Sequence, residues 1–272
     1  MGTLYLVATP IGNLEDMSPR AVRILREAHL IAAEDTRQTK KLLAHFDIHT
    51  ALTSYFEHNK LSKLQAVLDK LKDGDVALVS DAGSPALNDP GYELVRAALK
   101  AGYRVSPVPG PASPVAALTA SGLPTDTFVY LGYLPRKSTE RKRAFEQVAD
   151  LPYTLIFLET PHRLLDSLAN LETILGDRQI ALARELTKFH EEIWRGKVSD
   201  ARKYFINPRG EFVLVVAGKI KKATEKWPEV KLLAAIRKGI KAGESPSALA
   251  AKLAVDSGWP RRDIYKLTTS GA

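Results

Sequence analysis

The first part of the chain alternates short apolar runs with segments whose apolar residues recur every three to four positions. Five of these runs have the length and composition of buried strands: residues 4–8, 30–33, 51–54, 76–80 and 103–108. Helical periodicity lies between the runs, as with Leu64, Leu68 and Leu71. Because strands that alternate with helices are typical of parallel sheets, we predict a parallel α/β arrangement for about the first 120 residues.

Helix starts are marked by capping residues. Ser18-Pro19, Asp89-Pro90 and Ser245-Pro246 each combine a side-chain acceptor with a proline suited to the first helical position. Thr36 and Asn59 are predicted to cap two further helices. This interpretation makes Asp89 a helix cap, separate from any binding site.

A second block of strands and helices begins after GLPTD (122–126), which has the composition of a hinge. Its strands lie closer together along the chain, which favours antiparallel pairs. A linker-like segment, 219–229, precedes three helical patterns at 230–241, 245–256 and 260–269. We predict three domains: an N-terminal α/β domain (1–121), a second α/β domain (122–222) and a basic helical domain (223–272).

The charge of the chain is concentrated near its C-terminus. The 272 residues carry a net charge of +8, and residues 219–272 contain twelve Lys or Arg against five Asp or Glu. A basic segment of this kind favours a nucleic-acid partner, because each neutralised phosphate releases counterions. A solvated, charge-rich helical appendage is the alternative interpretation.

Composition also excludes several classes of protein. The chain has no cysteine, which rules out disulfides and cysteine-ligated metals. No apolar run approaches the ~20 residues that span a bilayer. The first residues lack the basic segment of a signal peptide. We expect a cytoplasmic protein without a membrane partner.

Four loops rich in Gly, Pro, Ser and Asp follow predicted strands of the first block. They read ATPIGNLED, AEDTR, SDAGSPALNDPG and PGPAS. Since the carboxyl ends of parallel strands meet at one edge of a sheet, where ligands bind, these loops predict a binding site. Asp81 offers an acceptor for a hydroxyl or amine, and Gly83 permits close backbone approach.

Familiar nucleotide and hydrolase motifs are absent. The chain lacks G-x-G-x-x-G, G-x-x-x-x-G-K-[ST] and G-x-S-x-G. His45 and His49 have metal-type spacing without the accompanying glutamate, and we predict no metal. The loops suit a cofactor with a ribose and an amino-acid moiety but no polyphosphate, a description that S-adenosylmethionine fits.

Several segments resemble the tetrapyrrole-methylase superfamily of class III methyltransferases. They are LVATPIGNLEDMSPRA, LIAAEDTRQT, VALVSDAGSPALNDPGYELV, VPGPASPVAALTASGLP, FLETPHRLLDSL and ALARELTK. AAEDTR and SDAGSP most resemble the branch that methylates the ribose 2′-hydroxyl of a cytidine in small-subunit (16S) ribosomal RNA. The resemblance implies two α/β/α domains with a small C-terminal helical domain, S-adenosyl-L-methionine in the cleft between the two, and a homodimer.

By this resemblance, the cofactor contacts fall in the strand-end loops of both blocks. They are Pro10, Ser80, Asp81, Gly83, Ser84, Leu87, Ala112, Ser113, Leu158 and Ala183. The RNA substrate is ribosomal RNA, free or in an assembled small subunit.

Removal of a proton from a 2′-hydroxyl needs a base, and the alkoxide that forms needs a cation. The candidates are Glu34, Asp35, Arg37, Glu159, His162, Glu185 and Lys188. Structural roles remain open beside the catalytic ones. Glu34 and Asp35 suit capping and pairing with Arg37, and Glu159 suits the start of the helix at Pro161. Arg184 suits an ion pair with Glu185.

Two basic clusters are candidates for RNA contact. Lys137, Arg141 and Arg143 belong to RKSTERKR, which also suits the exposed start of a helix. Arg261, Arg262 and Lys266 alternate with aromatics near the C-terminus, a pattern that suits RNA backbone contact and stacking. Ile264, Tyr265 and Leu267 suit packing of the small helical unit, and we expect Tyr265 in its core.

Two other functions are compatible with the sequence. A small-molecule methylase acting on a tetrapyrrole precursor has the same loops but needs no basic appendage. A non-catalytic RNA-binding assembly factor suits the basic clusters but need not keep a cofactor cleft.

Overall fold

The computed structural model describes residues 2–220 and 226–269. The chain divides into two compact units, residues 1–218 and 219–272. In the described residues, the first unit contains two five-stranded sheets and the second contains three helices. The further division of the first unit at residue 121 stays a prediction.

The first sheet is entirely parallel, as predicted. Its strands have the spatial order β3-β2-β4-β1-β5. They are β1 (Thr3–Val7), β2 (Leu30–Ala33), β3 (Leu52–Ser54), β4 (Val76–Val79) and β5 (Arg104–Val108). The order places β1 and β4 side by side at the centre, so their following loops lie next to each other.

Helices cover both faces of this sheet. They are α1 (Pro19–Glu27), α2 (Thr36–His45), α3 (Lys60–Asp73) and α4 (Tyr92–Lys100). Val7 and Val79 pack in one core with α1 and α2, while Leu4 and Leu78 pack in the other with α3 and α4. Burial on both faces explains why β4 is apolar at every position.

Capping accounts for where these helices begin. Ser18 caps α1 as predicted, because its Oγ accepts a hydrogen bond of 3.1 Å from the N–H of Ala21. The prediction for α2 is wrong by one residue. The cap is Asp35, whose carboxylate accepts a 2.8 Å bond from the N–H of Arg37, and Thr36 is already helical.

The predicted role of Asp89 as a helix cap is also wrong. The cap of α4 is Gly91, with a φ of 147° that residues with a side chain rarely adopt. A Cβ at Gly91 would lie 2.7 Å from Leu78 Cδ2. Because the turn into α4 needs glycine at this position, the helix begins later than predicted, and Asp89 remains in the loop.

The second sheet is mixed, and its antiparallel pairs confirm the prediction. Its order is β6-β7-β10-β8-β9, with only β6 and β7 parallel. The strands are β6 (Phe128–Tyr133), β7 (Thr154–Glu159), β8 (Gln179–Arg184), β9 (Glu192–Lys197) and β10 (Phe212–Val216). One face packs against α6 (Ser138–Val148), α7 (Leu164–Leu175) and α8 (Val198–Tyr204).

Helix α5 (Ser113–Ser121) covers the other face of the second sheet. Its buried Ala117 and Leu118 pack with Ile156, Ala183 and Val213. The chain therefore passes from β5 of the first sheet directly onto the second, and the loop before α5 lies between the two sheets.

The C-terminal unit consists of α9 (Glu229–Lys241), α10 (Pro246–Ser257) and α11 (Arg261–Thr269), which confirms the three predicted helices. Its core includes Leu232, Leu249 and Ile264. Tyr265 is 45% exposed, so its predicted place in the core is wrong. None of the helices in the described part of the chain combines the length and apolar composition that crossing a membrane requires.

Candidate functional site

A cleft of about 500 Å³ lies between the two sheets of the first unit. The loops that follow β2, β4 and β5 line one side, and the ends of β6, β7, β8 and β10 line the other. Eight of the ten predicted cofactor contacts line it: Asp81, Gly83, Ser84, Leu87, Ala112, Ser113, Leu158 and Ala183. The structure thus brings together loops that are separated by up to about a hundred residues.

The loop after β4 is fixed to the loop after β1. The N–H of Thr9 donates to the carbonyl of Gly83 at 2.9 Å, and the N–H of Gly83 donates to the carbonyl of Thr9 at 3.0 Å. Gly83 has a φ of 78°, in the left-handed region that favours glycine. This paired backbone holds the start of the SDAGSP segment at the edge of the cleft.

Three carboxylates, those of Glu34, Asp81 and Asp89, lie on this side of the cleft. Loss of hydration raises the pKa of each one, and their mutual repulsion adds to the effect, with Asp89 acting on Glu34 and Asp81 acting on Asp89. The hydroxyl of Ser80 bonds to Asp89 and partly offsets its shift. A cluster of this kind favours a cationic ligand, which relieves the repulsion.

Two tyrosines from β6 complete the far side. The hydroxyl of Tyr130 donates to Asn88 Oδ1 at 2.6 Å, and burial raises the pKa of Tyr130 to about 12. Burial, followed by the neighbouring Glu211, raises the pKa of Tyr133. A Cβ at Gly132 would lie 2.3 Å from Asn88 Nδ2, so glycine here allows the loop of the first sheet to rest on β6.

The loop after β8 supplies a cation to the cleft. Lys188 Nζ lies 3.0 Å from Glu185 Oε1, and both residues line the cleft. Arg184 pairs with Glu192 at 2.5 Å, so the predicted pair between Arg184 and Glu185 is wrong. The loop packs against Gly12, where a Cβ would lie 2.5 Å from Lys188 Cγ.

Two predicted cofactor contacts lie elsewhere. Pro10 lines a neighbouring cavity that shares Asp81 with the cleft. Ser80 is buried behind the loop, where its hydroxyl donates to the carbonyl of Ala82 at 3.3 Å and lies next to Asp89. Neither residue lines the cleft, because each lies in the first part of its loop, close to the end of β1 or β4.

Three predicted catalytic residues line the cleft and four do not. Glu34, Glu185 and Lys188 line it. Asp35 instead caps α2 and pairs with Arg37 at 2.7 Å, which lowers the pKa of Asp35 to about 2. Neither Asp35 nor Arg37 lines the cleft, and their pair matches the capping alternative.

Glu159 does not line the cleft, and its surroundings match the structural alternative at the start of the helix. Its side chain is fully buried and lies 2.6 Å from Arg163 Nη2. It also accepts hydrogen bonds from the N–H of Thr160 and from Ser167 Oγ. With no exposed surface, this carboxylate anchors the turn into α7. His162 is exposed in two cavities outside the cleft.

Arg141 is not available for RNA contact. Its side chain is 3% exposed, and Nη1 donates to the carbonyls of Pro135 and Arg136 at 3.2 Å. The prediction fails because Arg141 lies on the inner face of α6. The other two residues of this predicted cluster, Lys137 and Arg143, are exposed.

Several cleft residues escaped the sequence prediction. They are Ile11, Ala82, Asn88, Asp89, Pro114, Tyr130, Tyr133, Arg184, Leu186, Gly210, Glu211, Phe212 and Val213. Two signals pointed to some of them. Asp89 belongs to the quoted SDAGSPALNDPG loop, and Glu211 directly precedes an apolar strand whose neighbours end at the cleft.

Sequence comparison identifies relatives that extend over nearly the whole chain. A protein of Halalkalibacterium halodurans, named ribosomal RNA small subunit methyltransferase I, is 48% identical over 98% of this chain and 94% of its own. A protein of the same name from Synechocystis is 47% identical over 98% of each chain. The family model for tetrapyrrole (corrin/porphyrin) methylases matches residues 3–202.

Solved structures share the fold. A diphthine synthase has a TM-score of 0.61 at 12% identity, over 80% of this chain and 90% of its own. Uroporphyrin-III C-methyltransferase from Thermus thermophilus, solved with S-adenosylhomocysteine, has a TM-score of 0.56 at 21% identity, over 80% and 97%. The chain therefore belongs to the tetrapyrrole methylase family, whose methyl donor is S-adenosyl-L-methionine, and within it to the ribosomal RNA small subunit methyltransferase I group.

Proposed function

We propose that this protein transfers a methyl group from S-adenosyl-L-methionine to the 2′-hydroxyl of a cytidine ribose in small-subunit (16S) ribosomal RNA. The observation that carries the proposal is the 48% identity, over almost the entire chain, to a protein named ribosomal RNA small subunit methyltransferase I. The choice of a cytidine 2′-hydroxyl rests on the AAEDTR and SDAGSP segments. We include in the proposal a cytoplasmic location and a homodimer, both of which follow from the family resemblance.

The residues of the cleft fit the cofactor. S-adenosyl-L-methionine carries a sulfonium and an ammonium against one carboxylate, so it is a net cation at neutral pH. Glu34, Asp81 and Asp89 supply the opposite charge. Burial and mutual repulsion raise their pKa values, and a bound cation offsets the repulsion and so stabilises their ionised forms. Leu158 and Ala183 offer apolar surface on the other side.

When bound, the cofactor supplies an electrophilic methyl group on sulfur. The residues that line the cleft would hold this methyl group towards the ribose hydroxyl, whose proton must be accepted by the protein. We assign the proton to Glu34, because this carboxylate lines the cleft and because burial and Asp89 raise its pKa in the free protein. Lys188 lines the same cleft and stabilises negative charge that develops on the oxygen.

The exposed basic candidates outside the cleft belong to substrate binding in this proposal. Lys137 and Arg143 are exposed on α6, and Arg261, Arg262 and Lys266 are exposed on α11. Their charge suits contact with phosphates, which supplies affinity without sequence preference.

The test is transfer of labelled methyl groups. The protein is incubated with labelled S-adenosyl-L-methionine and small ribosomal subunits from a strain that lacks the modification, and the nucleosides are separated after digestion. The expected result is label in 2′-O-methylcytidine. Label in a tetrapyrrole precursor but not in RNA would contradict the proposal, as would a protein that binds subunits without transferring any methyl group.

A further inference from the structure

A groove continues from the cleft across the second sheet. Tyr133 and Glu211 line the cleft and also line an adjoining cavity of about 510 Å³. His162 lines this cavity and a further one of about 480 Å³. We call these two adjoining cavities the side groove. Shared lining residues make the cleft and the side groove one continuous surface.

The charge changes sign along this surface. The cleft contains the three carboxylates described above, and Glu211 marks the boundary. Beyond it, Arg136 and His162 line the first cavity, and Arg209 lines the second. Asp166 is the acidic residue among those that line the second cavity. A ligand that occupies both regions therefore meets acceptors at one end and cations at the other.

The two arginines and the imidazole of the side groove are available to a ligand. Arg163 is not one of them, since the buried Glu159 neutralises it at 2.6 Å. Within residues 2–220 and 226–269, Arg136, His162 and Arg209 form no ion pair. All three are exposed.

The backbone that carries Arg136 is held in place from behind. Arg141 Nη1 donates to the carbonyls of Pro135 and Arg136, and Arg163 Nη1 donates to the carbonyl of Leu134 at 3.1 Å. Two buried or half-buried guanidinium groups thus fix residues 134–136. A cation on a fixed backbone loses less conformational freedom when it binds an anion.

We propose that Arg136, His162 and Arg209 bind the backbone phosphates of RNA next to the nucleotide whose ribose enters the cleft. The proposal rests on the proposed function, because it takes RNA as the substrate. A nucleotide inserted into the cleft brings its flanking phosphodiesters to the mouth. The side groove offers them cations there, while the acidic cleft repels phosphate and admits the uncharged ribose.

The double variant Arg136→Gln/Arg209→Gln tests the proposal in the full chain. Arg96→Gln/Lys100→Gln is the matched control, because both residues are exposed on α4, form no ion pair in the described residues and line none of these cavities. The readouts are S-adenosyl-L-methionine affinity, kcat and KM with unmodified small subunits, and RNA affinity as a function of salt.

The groove variant should keep the cofactor affinity of the wild type and raise KM for subunits about tenfold or more. Loss of two phosphate contacts should reduce the slope of log affinity against log salt by about 1.4, while the control keeps the wild-type slope. A slope and KM equal to those of the control would overturn the proposal while leaving the proposed function intact. Wild-type protein that binds the cofactor but methylates no RNA would overturn both.

His162→Gln separates phosphate binding from proton transfer. If His162 binds phosphate in the side groove, the variant should raise KM for subunits, and kcat at saturating subunits should change less than threefold. A fall in kcat of a hundredfold with unchanged KM would return His162 to the catalytic role considered from the sequence and remove it from the groove.

Discussion

The backbone N–H of Asp35 donates a 3.0 Å hydrogen bond to the carboxylate of Asp81, which joins the loops that follow β2 and β4. The N–H of Asp81 in turn donates to Glu34 Oε2 at 3.4 Å. These two bonds bring the carboxylates of Glu34 and Asp81 to one edge of the cleft. The charge that they share with Asp89 governs how the cleft responds to pH and to substitution.

Cofactor affinity should increase with pH. The pKa values of Glu34, Asp81 and Asp89 lie above their ordinary values of 4.5, 3.8 and 3.8, and only the ionised forms attract a cation. Calorimetric titration with S-adenosyl-L-methionine between pH 5 and pH 8 should show tighter binding at the higher pH. Binding should also release protons, seen as a heat that varies with the ionisation enthalpy of the buffer.

Asp81→Asn should weaken cofactor binding about tenfold or more at pH 8, since it removes a charged acceptor. The control is Asp126→Asn, which neutralises an exposed carboxylate that lines none of the described cavities. Equal affinity for wild type and the Asp81 variant across this pH range would rule out the carboxylate as a cofactor contact.

Glu34→Gln should reduce kcat by about a hundredfold or more if Glu34 takes the proton. In the wild type, kcat/KM should fall as the pH drops through the raised pKa of Glu34 in the free protein, because the protonated carboxyl accepts no proton. The variant should lose this acid limb while its KM for subunits stays near the wild-type value. An acid limb that persists in the variant would assign the base to another residue.

The parallel sheet was predictable because the sequence signals for its strands and helices are local. Each strand of the first sheet is a short apolar run, and each helix has its own period, so β1 to β5 follow from neighbouring residues. The cap of α4 was not predictable in this way. Gly91 is required there by its contact with Leu78, which lies 13 residues away and across the turn.

The site was predictable in part for a similar reason. Loops at the carboxyl edge of a parallel sheet identify Asp81 and Gly83 from sequence order alone. Tyr130 and Tyr133 reach the cleft only because α5 carries the chain from one sheet to the other. Glu159 and Arg141 look like surface charges in the sequence, and only tertiary packing reveals that both are buried.

Asp89→Asn should stabilise the protein at neutral pH. Folding raises the pKa of Asp89, so the folded state favours the protonated form, and the ionised carboxylate is destabilising above that pKa. The amide removes this charge and still offers Ser80 an acceptor. Thermal unfolding should show a Tm increase of about 2 °C at pH 7.5 and a smaller one at pH 4. An equal increase at both values would contradict the electrostatic explanation.

Glu159→Gln should destabilise the protein without a specific effect on chemistry. The variant leaves Arg163 half-buried without its carboxylate partner, which costs about 3 kcal/mol and lowers Tm by about 10 °C. Measured well below that Tm, kcat should remain within about twofold of the wild type. A large loss of kcat in a variant of unchanged Tm would restore Glu159 as a catalytic candidate.

The C-terminal unit should contribute RNA affinity through α11. Arg261→Gln/Arg262→Gln/Lys266→Gln removes three exposed cations from one helix without touching the buried Ile264. RNA affinity should fall, and the slope of log affinity against log salt should shrink by about two. Cofactor affinity should be unchanged, because the cleft lies entirely within residues 1–218.

A triple variant on α9, Arg237→Gln/Lys238→Gln/Lys241→Gln, carries the same loss of charge and is the matched control. If α11 contacts RNA, the α11 variant should reduce the salt slope more than the α9 variant does. Equal slopes for both would mean that the unit attracts RNA through its total charge, since net charge alone does not distinguish one helix from the other.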